Sequence, residues 1–313
     1  MNSVMPPHQR AGEAFWTSDD PHLSGNFAPI QSELDVADLQ VISGAIPPDL
    51  SGAYMRNGPN PQFKPVSYTY PLDGDGMIHA VYFNNGRARY KNRFVRTRAL
   101  DVERRAGRAV YGGFRQSGPI DPALLKPGDP DFFKNGAFIN VLRHGDHLLA
   151  LSEASPAYEL TAELETLGEW TAGTAEPISL GAHNRRHPRT GVLFALEYSV
   201  QDPAVCFHEI DPSGRLTRSL PLTLPSASMI HDFVLTDRFI VLLIGPAIFD
   251  MAAAASGQSF LQWRPDLGTR SRCCRSMAAN RSGWNSRPFS CSTSQMASSA
   301  AARSSSTTCA TRA

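Results

Sequence analysis

Two histidines occupy positions where an imidazole could bind a transition metal. His183 lies in SLGAHNRRHPRTGVLFAL, just before an apolar run, and His231 lies in SMIHDFVLTDRFIVLL, at the start of another. Each stands at a strand entrance behind small or apolar residues. A neutral imidazole held at such a rigid position is a good nitrogen donor. Taken singly, either one reads more simply as a satisfied buried histidine or a surface turn residue. His187 falls in an Arg-rich turn and reads as solvated, while His79, His144, His147 and His208 lack ligand-like spacing. Glu153, in ALSEAS, reads on its own as a strand-end carboxylate. The DGDG run at 73–76 lacks the spacing of a calcium loop and reads as a tight turn, as does RNGPNP at 56–61. The cysteines show no C-x-x-C pair and so no convincing zinc pattern.

The elements that would position these residues are short strands. GAYMRNG, IHAVYFNNG, ARYKNRFVRT, AFINVLRHGDHLLALSE, GVLFALEYSV and FIVLLIG alternate or run apolar. Turn signals punctuate them at Asn84-Asn85-Gly86, His144-Gly145-Asp146, Pro188–Gly191 and Asp211–Gly214. Helical periodicity is scarce, with one short helix expected to start over Asp121–Leu125. The strand-turn rhythm predicts an all-β sandwich, barrel or propeller. No exact repeat selects among them.

The 313 residues are 42% apolar and 19% charged, which suits one large or two smaller globular domains with a real core. No run of 18 apolar residues suggests a membrane-spanning helix, and the N-terminal stretch has no signal-like apolar segment. The net charge of +1 conceals an asymmetry: all 29 acidic residues precede residue 267, and the remainder holds seven Arg and no Lys. That composition argues against a nucleic-acid-binding tail. Only Cys206 lies in the body, the other four cysteines being Cys273, Cys274, Cys291 and Cys309. The body therefore reads as a reduced, cytoplasmic protein without disulfides.

Six segments carry a resemblance. GAIPPDLSGAYMRNGPNPQF (44–63), YPLDGDGMIHAVYFNNGRARYKNRFVRT (70–97), NVLRHGDHLLALSEASPAYEL (140–160), GAHNRRHPRTGVLFALEYS (181–199), MIHDFVLTDRFIVLL (229–243) and LQWRPDLGTR (261–270) resemble, in order, the motifs of the carotenoid cleavage oxygenase family. That family includes the lignostilbene dioxygenases and the retinoid isomerase. The resemblance implies a seven-bladed β-propeller with one non-haem Fe(2+) held on the axis by four histidines. His183 matches the first ligand and His231 the second. Glu153 matches a carboxylate that accepts the N–H of a ligand histidine and fixes its tautomer. No catalytic residue beyond the metal ligands is implied. The implied reaction is oxidative cleavage of a conjugated C=C bond, with an apolar polyene and O2 as partners. No nucleic acid is implied, and peripheral contact with a membrane is an accompanying expectation. Stilbene cleavers of the family carry a Lys before that Glu and a Tyr in an earlier loop, both gripping a phenol. Here Ser152 precedes Glu153 and Phe114 stands nearest the Tyr position, which favours a polyene over a hydroxystilbene. A stilbene cleaver and a non-catalytic pseudoenzyme remain the alternatives.

The resemblance runs over about 28–270, leaving an N-terminal extension (1–27) and a tail (271–313). The expected fold is thus an incomplete propeller followed by a disordered tail. No histidine follows His231, although two more are implied. Read with Ser as TCN, Arg as CGN and codons beginning at each third base, residues 271–275 admit an apolar strand. Read likewise, Pro288–Ala297 admits F-V-F-H-F-A-N-G, with the histidine codon straddling Ser292 and Thr293. The expectation is a frameshift near residue 270; the rival is a natural Ser/Ala/Arg tail. Sequencing across codon 270 separates them. A lost or gained base upstream of those codons is expected, and an uninterrupted frame without them overturns the frameshift.

Overall fold

The computed structural model describes residues 16–114, 116–256, 258–275 and 289–291. Four antiparallel four-stranded sheets follow one another along the chain. The first comprises β1 (Asp35–Val36), β2 (Gly52–Pro59), β3 (Gly76–Asn84) and β4 (Arg87–Phe94), in the order β1-β4-β3-β2. The second is β5 (Asn140–His144), β6 (His147–Leu151), β7 (Tyr158–Leu160) and β8 (Thr166–Glu169), in sequence order. The third holds β9 (Arg185–Arg186), β10 (Leu193–Tyr198), β11 (Ala204–Ile210) and β12 (Leu216–Thr223), also in sequence order. The fourth begins with β13 (Phe233–Leu235) and β14 (Phe239–Ile244). A hairpin of β15 (Ala247–Phe249) and β16 (Leu261–Trp263) intervenes before β17 (Arg270–Arg275) and β18 (Phe289–Cys291) complete that sheet.

The hairpins form where turn chemistry demands. Asn85 and Gly86 both take positive φ (49° and 74°), the conformation of a two-residue loop whose twist matches its strands, and they join Asn84 to Arg87. Gly145 does the same between the paired His144 and His147.

Period-two alternation then gives each inner sheet two apolar faces. On β6, Ala150 turns toward Ile78 and Ala80 of the first sheet. Leu149 and Leu151 turn toward Leu193, Ala195 and Ile210 of the third. On β10 the intervening Phe194, Leu196 and Tyr198 pack against Phe233, Ile240 and Leu242 of the fourth. Each sheet is stacked face to face on the next, as blades are in a propeller. The described blades do not close a ring: the molecule is an incomplete β-propeller.

Three local expectations need correction. Helix α1 (Arg98–Ala106) crosses between the first two blades, capped by the Thr97 hydroxyl, which accepts from Leu100 N, and ended by Gly107 in the left-handed region. Its signals were legible in the Thr97 and Gly107 spacing. The expected helix at Asp121–Leu125 is a single 3-10 turn, Pro122–Leu124, with Asp121 accepting from Ala123 N. In RNGPNP the residues Arg56–Pro59 belong to β2, and Asn57 tethers the second blade by donating to the carbonyls of Ala137 and Asn140.

The expectation that order ends at residue 270 fails for residues 271–275, which pair residue by residue with β14, and for 289–291, which pair with β17. The rest of the tail lies outside the described residues. Backbone pairing explains the strand: the free edge of β14 offers N–H and C=O groups that any extended segment can satisfy. The side chains match less well. Cys274, opposite Ile240, is buried, but Arg272 falls opposite the core residue Leu242. Its Nη1 donates to Thr223 O at 2.5 Å, while its Nε is buried with no partner. A buried unsatisfied donor costs about 1–3 kcal/mol. The Arg272→Leu variant should therefore unfold at the same or a higher temperature than the parent; a fall of several degrees would show that the guanidinium is a net stabiliser.

Candidate metal centre

Three side chains converge at one end of the last three blades. His183 lies two residues before β9, His231 two residues before β13, and Glu153 two residues after β6. Their donor atoms all lie within 4.8 Å of one another. The two imidazole centroids are 4.3 Å apart with planes at 64°. Glu153 Oε1 lies 3.0 Å from His231 Nδ1, an ion-pair contact without the alignment of a hydrogen bond.

The chain builds this convergence from ladder ends. Asn140 Nδ2 donates to Ala182 O at 3.0 Å, tying the His183 segment to the second blade. Gly181 takes φ +61°, and a side chain there would meet Leu196 O at 2.6 Å, so the approach to β10 requires glycine. Met229 N donates to Ala247 O, and Ser228 bridges Ile248, fixing the segment that carries His231 against β15. Glu153 is largely buried (17% side-chain exposure) and His231 is not (55%).

Burial sets the electrostatics. Desolvation pushes the Glu153 carboxyl above the usual carboxylate range, while the His231 ring and hydrogen bonding from Tyr198 pull it back down. Desolvation, with the neighbouring His231, holds His183 below the ordinary histidine value. A neutral imidazole is the form that donates a lone pair to a metal. Two nitrogen donors with a carboxylate able to orient one of them fit a divalent transition metal.

Glu153 also lines a cavity of about 580 Å3, walled by Phe114, Phe133, Phe138, Ile139, Phe249 and Phe260. Ser152 and Phe114, singled out from the sequence, both face into it. The Phe114 ring packs on Phe260 at 4.5 Å, and its backbone N donates to Asp73 Oδ1. Lys134 lines the cavity too, but its ammonium is paired with Asp75 (2.7 Å) and Glu103 (2.6 Å). Sequence reasoning missed that triad, since its members are distant in the chain. It also missed Tyr198, which reads as an ordinary strand residue, and Asn184, whose side-chain amide is buried without a partner. His187, read as solvated, is buried: its ring folds back over the turn, and Nδ1 accepts from the N–H groups of Arg189 and Thr190.

Stacked antiparallel blades define a propeller protein, and a two-histidine, one-carboxylate cluster that could hold a metal lies beside its apolar cavity. Residues 27–289 match the family of RPE65, the retinal pigment epithelial membrane protein. The chain is 33% identical over 233 residues to a probable chloroplastic carotenoid cleavage dioxygenase 4 of Arabidopsis thaliana, covering 69% of this chain and 39% of that protein. It superposes on the lignostilbene dioxygenase of Pseudomonas brassicacearum with a TM-score of 0.75 and 31% identity, covering 84% of this chain and 55% of that one. With a Synechocystis apocarotenoid oxygenase variant the TM-score is 0.67 at 29% identity, over 84% and 57% of the two chains. The chain belongs to the RPE65/carotenoid cleavage oxygenase family, and it spans about half the length of the relatives it matches. The match extends past residue 270, where the recognisable motifs end.

The raised Glu153 pKa has a sign. Below the unfolded carboxyl value of 4.5 both states are protonated and the group is neutral in its effect. As pH rises through the folded value the unfolded state is already ionised, so stability is lost. In metal-free protein, Glu153→Gln should raise the thermal midpoint at pH 7, and the gain should vanish below about pH 4. An equal gain at both pH values, read by denaturation scans, would show that ionisation of Glu153 is not the cause.

Proposed function

We propose that the chain forms part of a non-haem iron(II) oxygenase that cleaves a conjugated C=C bond of a carotenoid or apocarotenoid to carbonyl products. The observation that carries this reading is the convergence of His183, His231 and Glu153 beside a cavity with predominantly aromatic and aliphatic walls. His183 and His231 would hold the iron, and Glu153 would orient the His231 ring. Iron bound there supplies the capacity to bind and activate O2. The chain's own residues bind the substrate, align it along the cavity and keep water from it.

The choice of a polyene is supported by the residues at the positions where stilbene cleavers of the family grip a phenol. Phe114 offers no hydroxyl, Ser152 offers no ammonium, and the Lys134 ammonium is committed to two carboxylates. A phenol would leave its hydroxyl without a cationic partner, whereas a polyene needs none. Superposition on a lignostilbene dioxygenase favours the second reading, stilbene cleavage. Among the described residues no helix is long and apolar enough to cross a membrane. Peripheral membrane contact, as a route for an apolar substrate, belongs to the same proposal.

Iron analysis and turnover test it on two proteins, the 313-residue chain and one in which the frame after codon 270 is restored. The restored protein is expected to hold stoichiometric iron and release aldehydes from an apocarotenoid. His183→Ala or His231→Ala in it should abolish both. The 313-residue chain, with two of four implied histidines, is expected to hold little iron and give no product. Stoichiometric iron and polyene cleavage by that chain would overturn the four-histidine reading. Preferential cleavage of a hydroxystilbene by the restored protein would select the alternative.

A further inference from the structure

The spacing of the two histidines has no covalent or ladder support. His183 belongs to the third blade and His231 to the fourth, and no strand pairing joins those sheets among the described residues. Among the described residues, what joins them beside the histidines is the Phe207–Phe233 ring contact in the core, with centroids 5.4 Å apart, and one ion pair nearer the surface. Arg185 Nη2 lies 2.8 Å from Asp232 Oδ1 and 2.6 Å from Asp232 Oδ2. Arg185 is two residues beyond His183, and Asp232 directly follows His231. Each partner is itself held. Arg185 Nη1 donates to Asn184 O, its backbone pairs with Phe194, and its guanidinium lies 5.9 Å over the Phe233 ring. Asp232 Oδ1 also accepts from Phe233 N at 2.7 Å. A second ion pair, Arg189 with Asp237 at 3.3 Å, spans the same two blades farther from the histidines and is more exposed.

We infer that Arg185 and Asp232 are positioning residues: their ion pair clamps the third blade to the fourth and fixes the separation of His183 and His231. The inference rests on the metal reading of those histidines. A half-exposed pair contributes little to global stability. Its effect here is geometric, because a ligand set binds a metal only when its donors are held at the right separation. The Arg189–Asp237 pair provides an internal control, joining the same blades without flanking a histidine.

The test has a metal-free arm and a metal arm, both on the 313-residue chain with selectively labelled histidines. Without metal, rings 4.3 Å apart should give a nuclear Overhauser effect between His183 and His231. Arg185→Gln and Asp232→Asn should each abolish it with an unchanged thermal midpoint, Arg185→Lys should retain part of it, and Arg189→Gln should leave it intact. Co(II) titration should then show at least about a threefold weakening for the first two variants, no further loss in the double variant, and none for Arg189→Gln. Persistence of the ring-to-ring effect in Arg185→Gln, or an equal loss in Arg189→Gln, overturns the clamp whether or not Co(II) binds. Equal Co(II) affinity in the parent and in His231→Ala would instead defeat the metal reading, with the clamp still decided by the metal-free arm.

Discussion

Face-to-face packing of sheets that are apolar on both sides is the constraint on which this molecule depends. A sheet in the middle of the stack cannot follow the usual apolar-in, polar-out alternation of an antiparallel sheet. It must bury both faces, and β10 does so: Leu193 and Ala195 meet one neighbour while Phe194, Leu196 and Tyr198 meet the other. The near-continuous apolar run in GVLFALEY is the price of that position. The short turns follow, because successive strands of a blade must return at once to the same sheet.

The site inherits its geometry from this stack. Inner strands of successive blades begin side by side, so residues just ahead of β9 and β13 meet although they are far apart in sequence. Glu153 arrives from the end of β6, one blade earlier. The same packing withdraws Glu153 and His183 from water, which raises the one pKa and lowers the other. The cavity lies where loops at that end leave the stack, walled by aromatic rings from the Gly112–Phe114 turn, the 133–139 segment and the β15–β16 hairpin.

Much of this was legible in the residues. The Asn85-Gly86 and Gly145-Asp146 turns declared their hairpins, and the strand entrances drew attention to His183 and His231, which only the family resemblance read as ligands. The propeller and the pairing of Glu153 with a histidine came only through the family resemblance, because a period-two pattern says which residues share a face but not which face meets which. What escaped had physical reasons. Helix α1 is short and rich in Arg, so its caps carried more signal than its apolar face. His187 looked solvated among arginines, yet its ring is buried, with Nδ1 accepting from local backbone N–H groups and Nε2 left without a partner. The strand at Arg270–Arg275 has no apolar alternation at all; it forms because β14 presents an edge, a property of its partner rather than of itself. The Lys134 triad and the Arg185–Asp232 pair are tertiary meetings that no local pattern announces.

Because the large apolar interfaces of each blade are with its neighbours along the stack, stability is distributed much like that of a linear array, as a sum of intrinsic and nearest-neighbour contributions. The fourth blade is the last described and packs on one side only: Val234 and Leu243 on its other face are exposed. Opening of that blade alone would cost one interface, while opening of the third would cost two. His231 rides on the fourth blade and His183 on the third. The lifetime of the two-histidine arrangement is therefore set by a partial opening of the terminal blade, well before the chain as a whole unfolds.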